Sequence, residues 1–187
     1  MKTNTLTLAS LAILSLSAFA GQPVVESKTV TPPEPEVFYR ANEFSVGLSA
    51  LLGVRAESSS RGHRTWDNST RWGADLEGKY FFTRNFGLGL EQEYLDINRP
   101  LWGTALNLYA RFPLGVSSRW APYLFGGAGA LYGYDSGRFE GHAGAGLEFR
   151  CSKQIGIFTD GRYTWVDGNR DRVPQFGLFR LGLNFVF

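Results

Sequence analysis

The chain has 187 residues, 19 Lys+Arg against 17 Asp+Glu for a formal net charge of +2, and 43% hydrophobic side chains. Near-neutral charge excludes a protein built around a basic nucleic-acid surface, and the single cysteine, Cys151, excludes an internal disulfide framework. The length fits one domain of ordinary size, and 23 glycines with 15% aromatics fit many strands joined by tight turns.

Residues 1–20 read as a secretory signal peptide. Lys2 opens it, Leu8, Leu11, Ile13, Leu14 and Leu16 form its apolar middle, and Ala18-Phe19-Ala20 is a cleavage signal. This run is the only one that approaches a helical span, so a polytopic helical membrane protein is excluded. Without Lys2 the exported chain keeps 18 basic and 17 acidic side chains. No cysteine follows the cleavage point, so a lipid anchor is not expected. Residues 21–38 hold Pro23, Pro32, Pro33 and Pro35 with three glutamates and no periodicity, and read as an extended periplasmic spacer.

From residue 39 to 187 the pattern changes to eight segments in which apolar and polar residues alternate, the signature of strands. Glu43–Arg55 sets Phe44, Val46, Leu48 and Leu52 against Ser45, Gly47 and Ser49. Arg71–Phe82 sets Trp72, Leu76 and Tyr80 against Asp75, Glu77 and Lys79. Phe86–Asp96 sets Leu88, Leu90 and Tyr94 against Glu91 and Glu93. Leu101–Phe112 sets Trp102, Leu106 and Leu108 against Asn107, Tyr109 and Arg111. Pro122–Tyr134 is too glycine-rich for its faces to be assigned. Phe139–Cys151 sets Ala143, Ala145, Leu147 and Phe149 against Glu140, His142, Glu148 and Arg150. Ile155–Val166 sets Ile157, Tyr163 and Trp165 against Asp160 and Arg162. In Phe179–Phe187, Arg180, Gly182 and Asn184 interleave Phe179, Leu181, Leu183, Phe185 and Phe187.

Alternation alone does not separate a soluble barrel, with its apolar face inward, from a membrane barrel, with that face toward lipid. Three observations favour the second. The segments run to the 9–11 residues or more that a tilted membrane strand needs (about 9–11), beyond the usual length in globular domains. Connections after the second and sixth segments are tight, whereas those after the first and seventh are longer and polar. Aromatic residues fall in two bands: Tyr80, Phe82, Phe86, Phe112, Tyr123, Phe185 and Phe187 at the short-turn end, and Trp72, Tyr94, Trp102, Tyr132 and Trp165 toward the loops.

The ending Arg180-x-Gly182-x-x-Phe185-x-Phe187 resembles the C-terminal signal that the barrel-assembly machinery reads in bacterial outer-membrane barrels. Together with the signal peptide and the eight segments, Phe38–Phe187 resembles the small eight-stranded barrels of the OmpA-transmembrane-domain and OmpX type. The resemblance implies an all-β, eight-stranded, antiparallel up-and-down transmembrane barrel in the bacterial outer membrane. It also implies a monomer with both ends on the periplasmic side, in contact with outer-membrane lipid and lipopolysaccharide.

On that fold the polar face fills the lumen, with Asp75, Glu77, Lys79, Glu91, Glu93, Arg111, Glu140, His142, Glu148, Arg150, Asp160, Arg162 and Arg180 as a salt-bridged plug. No wide pore is expected. A small family of outer-membrane barrels deacylates lipid A with a late-strand His and Ser, but the matching stretch here, Arg162–Asn169, contains no histidine. The motif at Asp167–Asp171 opens like a calcium loop but lacks its sixth-place glycine, where Arg172 stands, and its closing acid, where Leu178 stands. No catalytic residue, metal or cofactor is expected. The loop 56–70 is the most distinctive exposed stretch: Arg61, His63 and Arg64 surround Trp66 and could contact lipopolysaccharide phosphates or an extracellular partner. The expected role is non-enzymatic, structural or adhesive through such loops. A narrow channel for ions or small solutes is the alternative, and a lipid-A-modifying enzyme the third.

Overall fold

The computed structural model describes residues 35–58, 64–66, 71–97, 99–133, 137–167 and 175–187. The signal-peptide reading, most of the spacer, and Arg61 and His63 of the loop lie outside the described residues. Arg64 and Trp66 are described as backbone only.

Among the described residues nine strands run in chain order: β1 Glu43–Ser58, β2 Arg64–Trp66, β3 Arg71–Phe81, β4 Phe86–Ile97, β5 Arg99–Arg111, β6 Trp120–Tyr132, β7 Arg138–Arg150, β8 Ile155–Val166 and β9 Phe176–Val186. The short β2 folds back on the end of β1, so part of the first loop is a hairpin extension rather than irregular chain. The other eight pair antiparallel, each with its sequence neighbour, and β1 closes the sheet onto β9 from Ser45↔Val186 to Arg55↔Phe176. Closure leaves these eight strands no open edge, so each of them finds two partners without help from solvent, as a hydrocarbon surrounding requires.

Side-chain orientation follows the alternation. Leu48, Leu76, Leu88, Leu90, Leu106, Leu108, Leu181 and Leu183 face outward and are exposed, while Asp75, Glu77, Glu91, Asn107, Arg162 and Arg180 face inward and are buried. A side-chain period of two means that a one-residue slip would exchange the two sets, which pins the register. The outward aromatics meet across neighbouring strands. Trp72 lies 6.2 Å from Tyr94, and Tyr94 lies 4.9 Å from Trp102, itself in register with Tyr132. Gln92 is a polar residue on this face, and Thr104 donates to its Oε1 at 2.7 Å, so the pair needs no water. An apolar, aromatic-girdled exterior around a charged interior is the reverse of a soluble barrel, and the fold is a transmembrane one.

Two sequence assignments change. Tyr123 is buried in the lumen and does not belong to the short-turn aromatic band. Strand β6, whose faces the sequence left open, points Ala121, Tyr123, Phe125 and Leu131 inward. Its inner face is aromatic because glycines on the neighbouring strands make room. A Cβ at Gly146 of β7 would stand 2.5 Å from the Tyr123 ring.

Candidate functional site

The lumen is the built part of the molecule, and side chains fill it in layers. At the loop end Leu51, Leu95, Leu101, Leu131, Val166, Phe176 and Leu178 pack into an apolar cap drawn from β1, β4, β5, β6, β8 and β9. Beneath it lies a charged layer. Arg180 is its hub: Nε and Nη2 donate to the two Asp160 oxygens at 2.7 and 2.9 Å, and Nη1 donates to Asp75 Oδ2 at 3.1 Å and lies 3.3 Å from Glu91 Oε1. The guanidinium also sits 5.0 Å over the Phe125 ring. Arg162 donates to Glu91 Oε1 at 2.6 Å and to Glu93, and Lys79 Nζ pairs with Glu77 Oε2 at 3.3 Å.

A hydrogen-bonded relay joins this layer to β7. His142 Nε2 meets Asn107 Oδ1 at 2.7 Å, so the Asn oxygen accepts and Nε2 carries the hydrogen; Asn107 Nδ2 in turn donates to Glu91 Oε2 at 2.7 Å. Gly127 makes the approach possible, since a Cβ there would fall 2.0 Å from Asn107 Oδ1 and 2.8 Å from His142 Nε2. On the other side of the ring, His142 Nδ1 lies 3.8 Å from Glu140 Oε1, and neither Glu140 oxygen has a hydrogen-bond partner among the described residues.

An aromatic layer of Phe81, Tyr109, Tyr123 and Phe125 follows. Its hydroxyls point back toward the charges: Tyr123 donates to Asp160 Oδ2 at 2.6 Å, and Tyr109 donates to Glu77.

The short-turn mouth holds a second, compact charged layer. Glu43 Oε1 bridges Arg111 at 2.6 Å and Arg150 at 2.7 Å, and Arg150 Nε reaches Glu148 at 2.5 Å. Two acids match two bases here.

The segment before β1 crosses this mouth. Asn42, at φ 55°, turns the chain sharply, and Tyr80 holds it by donating to Asn42 Oδ1 at 3.0 Å. Tyr39 is fully buried, its ring 5.0 Å from the Arg111 guanidinium and 4.7 Å from that of Arg150. The Tyr39 hydroxyl lies within hydrogen-bond reach of two acceptors, Arg119 O at 2.8 Å and Glu148 O at 3.2 Å. Phe38, assigned by sequence to the spacer, is buried beside Ala121.

Burial first, and then the Glu148 carboxylate, push the Tyr39 phenol well above its ordinary value of 10.0. A raised value favours the neutral donor in the folded state. The stabilisation is therefore complete below pH 10 and is lost only as pH rises through the folded value. Tyr39→Phe, which keeps the ring and removes the donor, should cost about 1–2 kcal/mol of unfolding free energy. Tyr39→Ala, which also empties the space between two guanidinium groups, should cost about 3–5 kcal/mol. Denaturant titration in micelles reads both, and equal losses for the two variants would show that the ring carries nothing.

Every lumen residue named from the sequence is buried in this interior: Asp75, Glu77, Lys79, Glu91, Glu93, Arg111, Glu140, His142, Glu148, Arg150, Asp160, Arg162 and Arg180. They do not form one network, because the aromatic layer divides Arg111, Glu148 and Arg150 from the rest. The alternation places Asn107 and Tyr109 on the inward face beside Arg111, although the plug expected from sequence counts only charged residues and His142. Glu43, which shares the parity of Ser45 and Gly47, is missing from that expectation. In total eight buried carboxylates (Glu43 being the eighth) face five buried bases among the described residues. The surplus of acid lies in the central layer. No group of three or more His, Cys, Asp or Glu among the described residues is arranged to hold a metal ion.

Of the C-terminal residues, Arg180 is the lumen hub, while Phe185 and Phe187 are exposed in the short-turn girdle. Phe187 lies 6.2 Å from Phe44 across the β1–β9 seam. Gly182 lies where a Cβ would fall 2.5 Å from Leu48 O, so the seam is tight at that point.

No family model and no curated protein matches the chain. Solved structures do match. Neisserial surface protein A is 14% identical with a TM-score of 0.58, over 77% of this chain and 97% of that one. The N-terminal β-barrel domain of Pseudomonas aeruginosa OprF is 17% identical with a TM-score of 0.53, over 79% and 99%. Ail, the attachment invasion locus protein of Yersinia pestis, is 15% identical with a TM-score of 0.51, over 79% and 99%. Identities this low carry the fold and not the activity. In fold, the chain is a small eight-stranded transmembrane barrel like these.

Proposed function

We infer that the protein is a non-enzymatic, monomeric barrel of the bacterial outer membrane, a closed scaffold that presents its loops to the outside in a structural or adhesive role. The observation that carries this reading is the filled lumen, in which an apolar cap, an acid-rich layer, an aromatic layer and a strapped mouth succeed one another. His142 is enclosed in that interior and bonded to Asn107, away from lipid, which speaks against a lipid-modifying role. The leader-like residues 1–20 support export, and the aromatic ending at Phe185 and Phe187 supports delivery by the barrel-assembly machinery. Among proteins that share the fold, Ail is an attachment invasion locus protein. The Arg61, His63, Arg64 and Trp66 stretch is the first candidate for such a contact here, with lipopolysaccharide phosphates or a host surface as its partner.

A narrow channel is the second reading. The surplus of lumen carboxylates favours it, because acid-lined passages admit cations. Planar-bilayer recording separates the two. The purified barrel should give no unitary conductance steps, and the same cells should lose surface binding when residues 59–70 are replaced by a Gly-Ser linker. Cation-selective steps that vanish in Glu140→Gln would replace the closed-scaffold reading with the channel.

A further inference from the structure

The short-turn rim carries a charge pattern that the lumen does not use. Its segments are 35–42, the β3–β4 turn 82–85, the β5–β6 turn 112–119 and the β7–β8 turn 151–154. They contain four bases, Arg40, Arg84, Arg119 and Lys153, against one acidic side chain, Glu36. Glu36 meets Lys153 at 3.8 Å with both side chains well exposed, a contact that neutralises little.

Neighbouring turns hold these bases together. The Arg84 guanidinium donates to Gly115 O, tying the β3–β4 turn to the β5–β6 turn, and Arg119 lies 5.0 Å over the buried Phe38 ring. Arg150 N donates to Arg119 O at 2.8 Å, linking the β5–β6 turn to the end of β7.

Apolar side chains surround the bases on the same rim. Leu114 and Val116 are 66% and 56% exposed, far more than water-facing turn residues of this type gain from, and Trp120 is exposed one strand-start further on. Gly115, at φ 123° with nothing within 4 Å of the Cβ it lacks, is glycine for its backbone conformation, and that conformation sets Leu114 and Val116 on the turn's flanks. Phe112, Phe82 and Phe86 continue the apolar surface into the girdle.

Exposed apolar side chains interleaved with unneutralised bases, at the level where a bilayer's acyl region meets its headgroups, match one chemistry. The apolar groups dip to the acyl boundary while the bases stay among phosphates. We propose that the short-turn rim is a binding surface for anionic phospholipid headgroups, with Arg84, Arg119 and Lys153 as phosphate-facing bases and Leu114 and Val116 as the inserted anchor. The surface rests on the transmembrane fold and is independent of what the loops at the other end do. Each base near an anionic surface adds to the attraction, and its contribution falls with salt.

Trp120 provides the readout, being the one tryptophan at this rim among the described residues; Trp72, Trp102 and Trp165 lie toward the loops. The full barrel is reconstituted into phosphatidylcholine vesicles that carry a fixed fraction of either brominated phosphatidylglycerol or brominated phosphatidylcholine. The quenching assigned to Trp120 is the part lost in Trp120→Phe. Brominated phosphatidylglycerol should quench that part at least about twofold more than the zwitterionic lipid at low salt. The ratio should fall to parity in Arg84→Gln/Arg119→Gln/Lys153→Gln, with gel mobility confirming that the variant is folded. Val116→Ser should lower the quenching by both lipids.

Equal quenching by the two lipids in the folded wild type would overturn the proposal, as would a preference that survives the triple substitution. Retention on isolated peptidoglycan that the triple variant loses, without any lipid preference, would overturn it in favour of an anionic polymer.

Discussion

Replacing Arg180 by methionine is expected to cost about 3–5 kcal/mol, enough to prevent folding in many backgrounds. The size comes from what the substitution strands. Arg180 is fully buried and holds both Asp160 oxygens and Asp75, with Glu91 at 3.3 Å and Glu77 at 3.8 Å. Methionine fills much of the same volume, so the loss would be electrostatic rather than a cavity effect. Lysine would keep the charge but not the two-pronged grip on Asp160, and should recover only part of the stability. Arg180→Met combined with Asp160→Asn should be less destabilised than the two single losses summed, since the pair interacts directly. Urea titration of the barrel in micelles measures these values, and the heat-dependent gel shift of a folded barrel shows which variants assemble. A fully stable Arg180→Met would mean that the central acids do not depend on this side chain.

Leu108→Arg tests the outside of the same wall and should cost about 2–4 kcal/mol in a lipid bilayer. Leu108 is 65% exposed and sits in register with Leu88 on one side and Gly126 on the other, near mid-strand. At a water-facing position such a change would fall within about 0.5 kcal/mol of neutral. The same substitution at Val116, in the turn beyond the girdle, should cost far less because the guanidinium reaches headgroups. Equal, negligible costs at both positions would contradict the transmembrane orientation.

How far the chain announces all this depends on the element. The alternation of Trp72, Leu76 and Tyr80 with Asp75, Glu77 and Lys79 is visible in any reading, because a strand's side-chain period is two. The expected Ile155–Val166 strand coincides with β8, and each of the other segments differs by one to three residues at one or both ends. The fold was therefore legible almost throughout. Where glycine replaces one parity the signal fails. Strand β6 has Gly126, Gly127 and Gly129 in its middle, so only the structure shows that Tyr123 and Phe125 turn inward over the glycines of β7. The hairpin made by β1 and β2 was hidden as well, since its short return strand carries no periodic pattern.

The candidate site was legible as membership and not as arrangement. Parity places Arg111, Arg162 and Arg180 on one face with the acids, but it does not say that Arg162 meets Glu91 and Glu93 while Arg111 meets Glu43. Those partners lie about 70 residues apart, and the tilt and closure of the sheet decide which side chains share a level. Tyr39 was beyond reach for a different reason. It precedes the first strand, where nothing in the local pattern separates a strap packed under two arginines from the end of a spacer.

The seam between β1 and β9 sets the timetable on which the molecule can form. Ser45 pairs with Val186 and Phe187 N donates to Phe44 O, so the first and last strands must meet across roughly 140 intervening residues. Such a contact order is high, and the loop entropy is spent before the pairing returns anything. A chain arrested before Phe176 would present two raw edges and a partly open ring of charge. Neither lipid nor water is a good solvent for that intermediate, which leaves it in need of an escort until the eleven residues of β9 arrive.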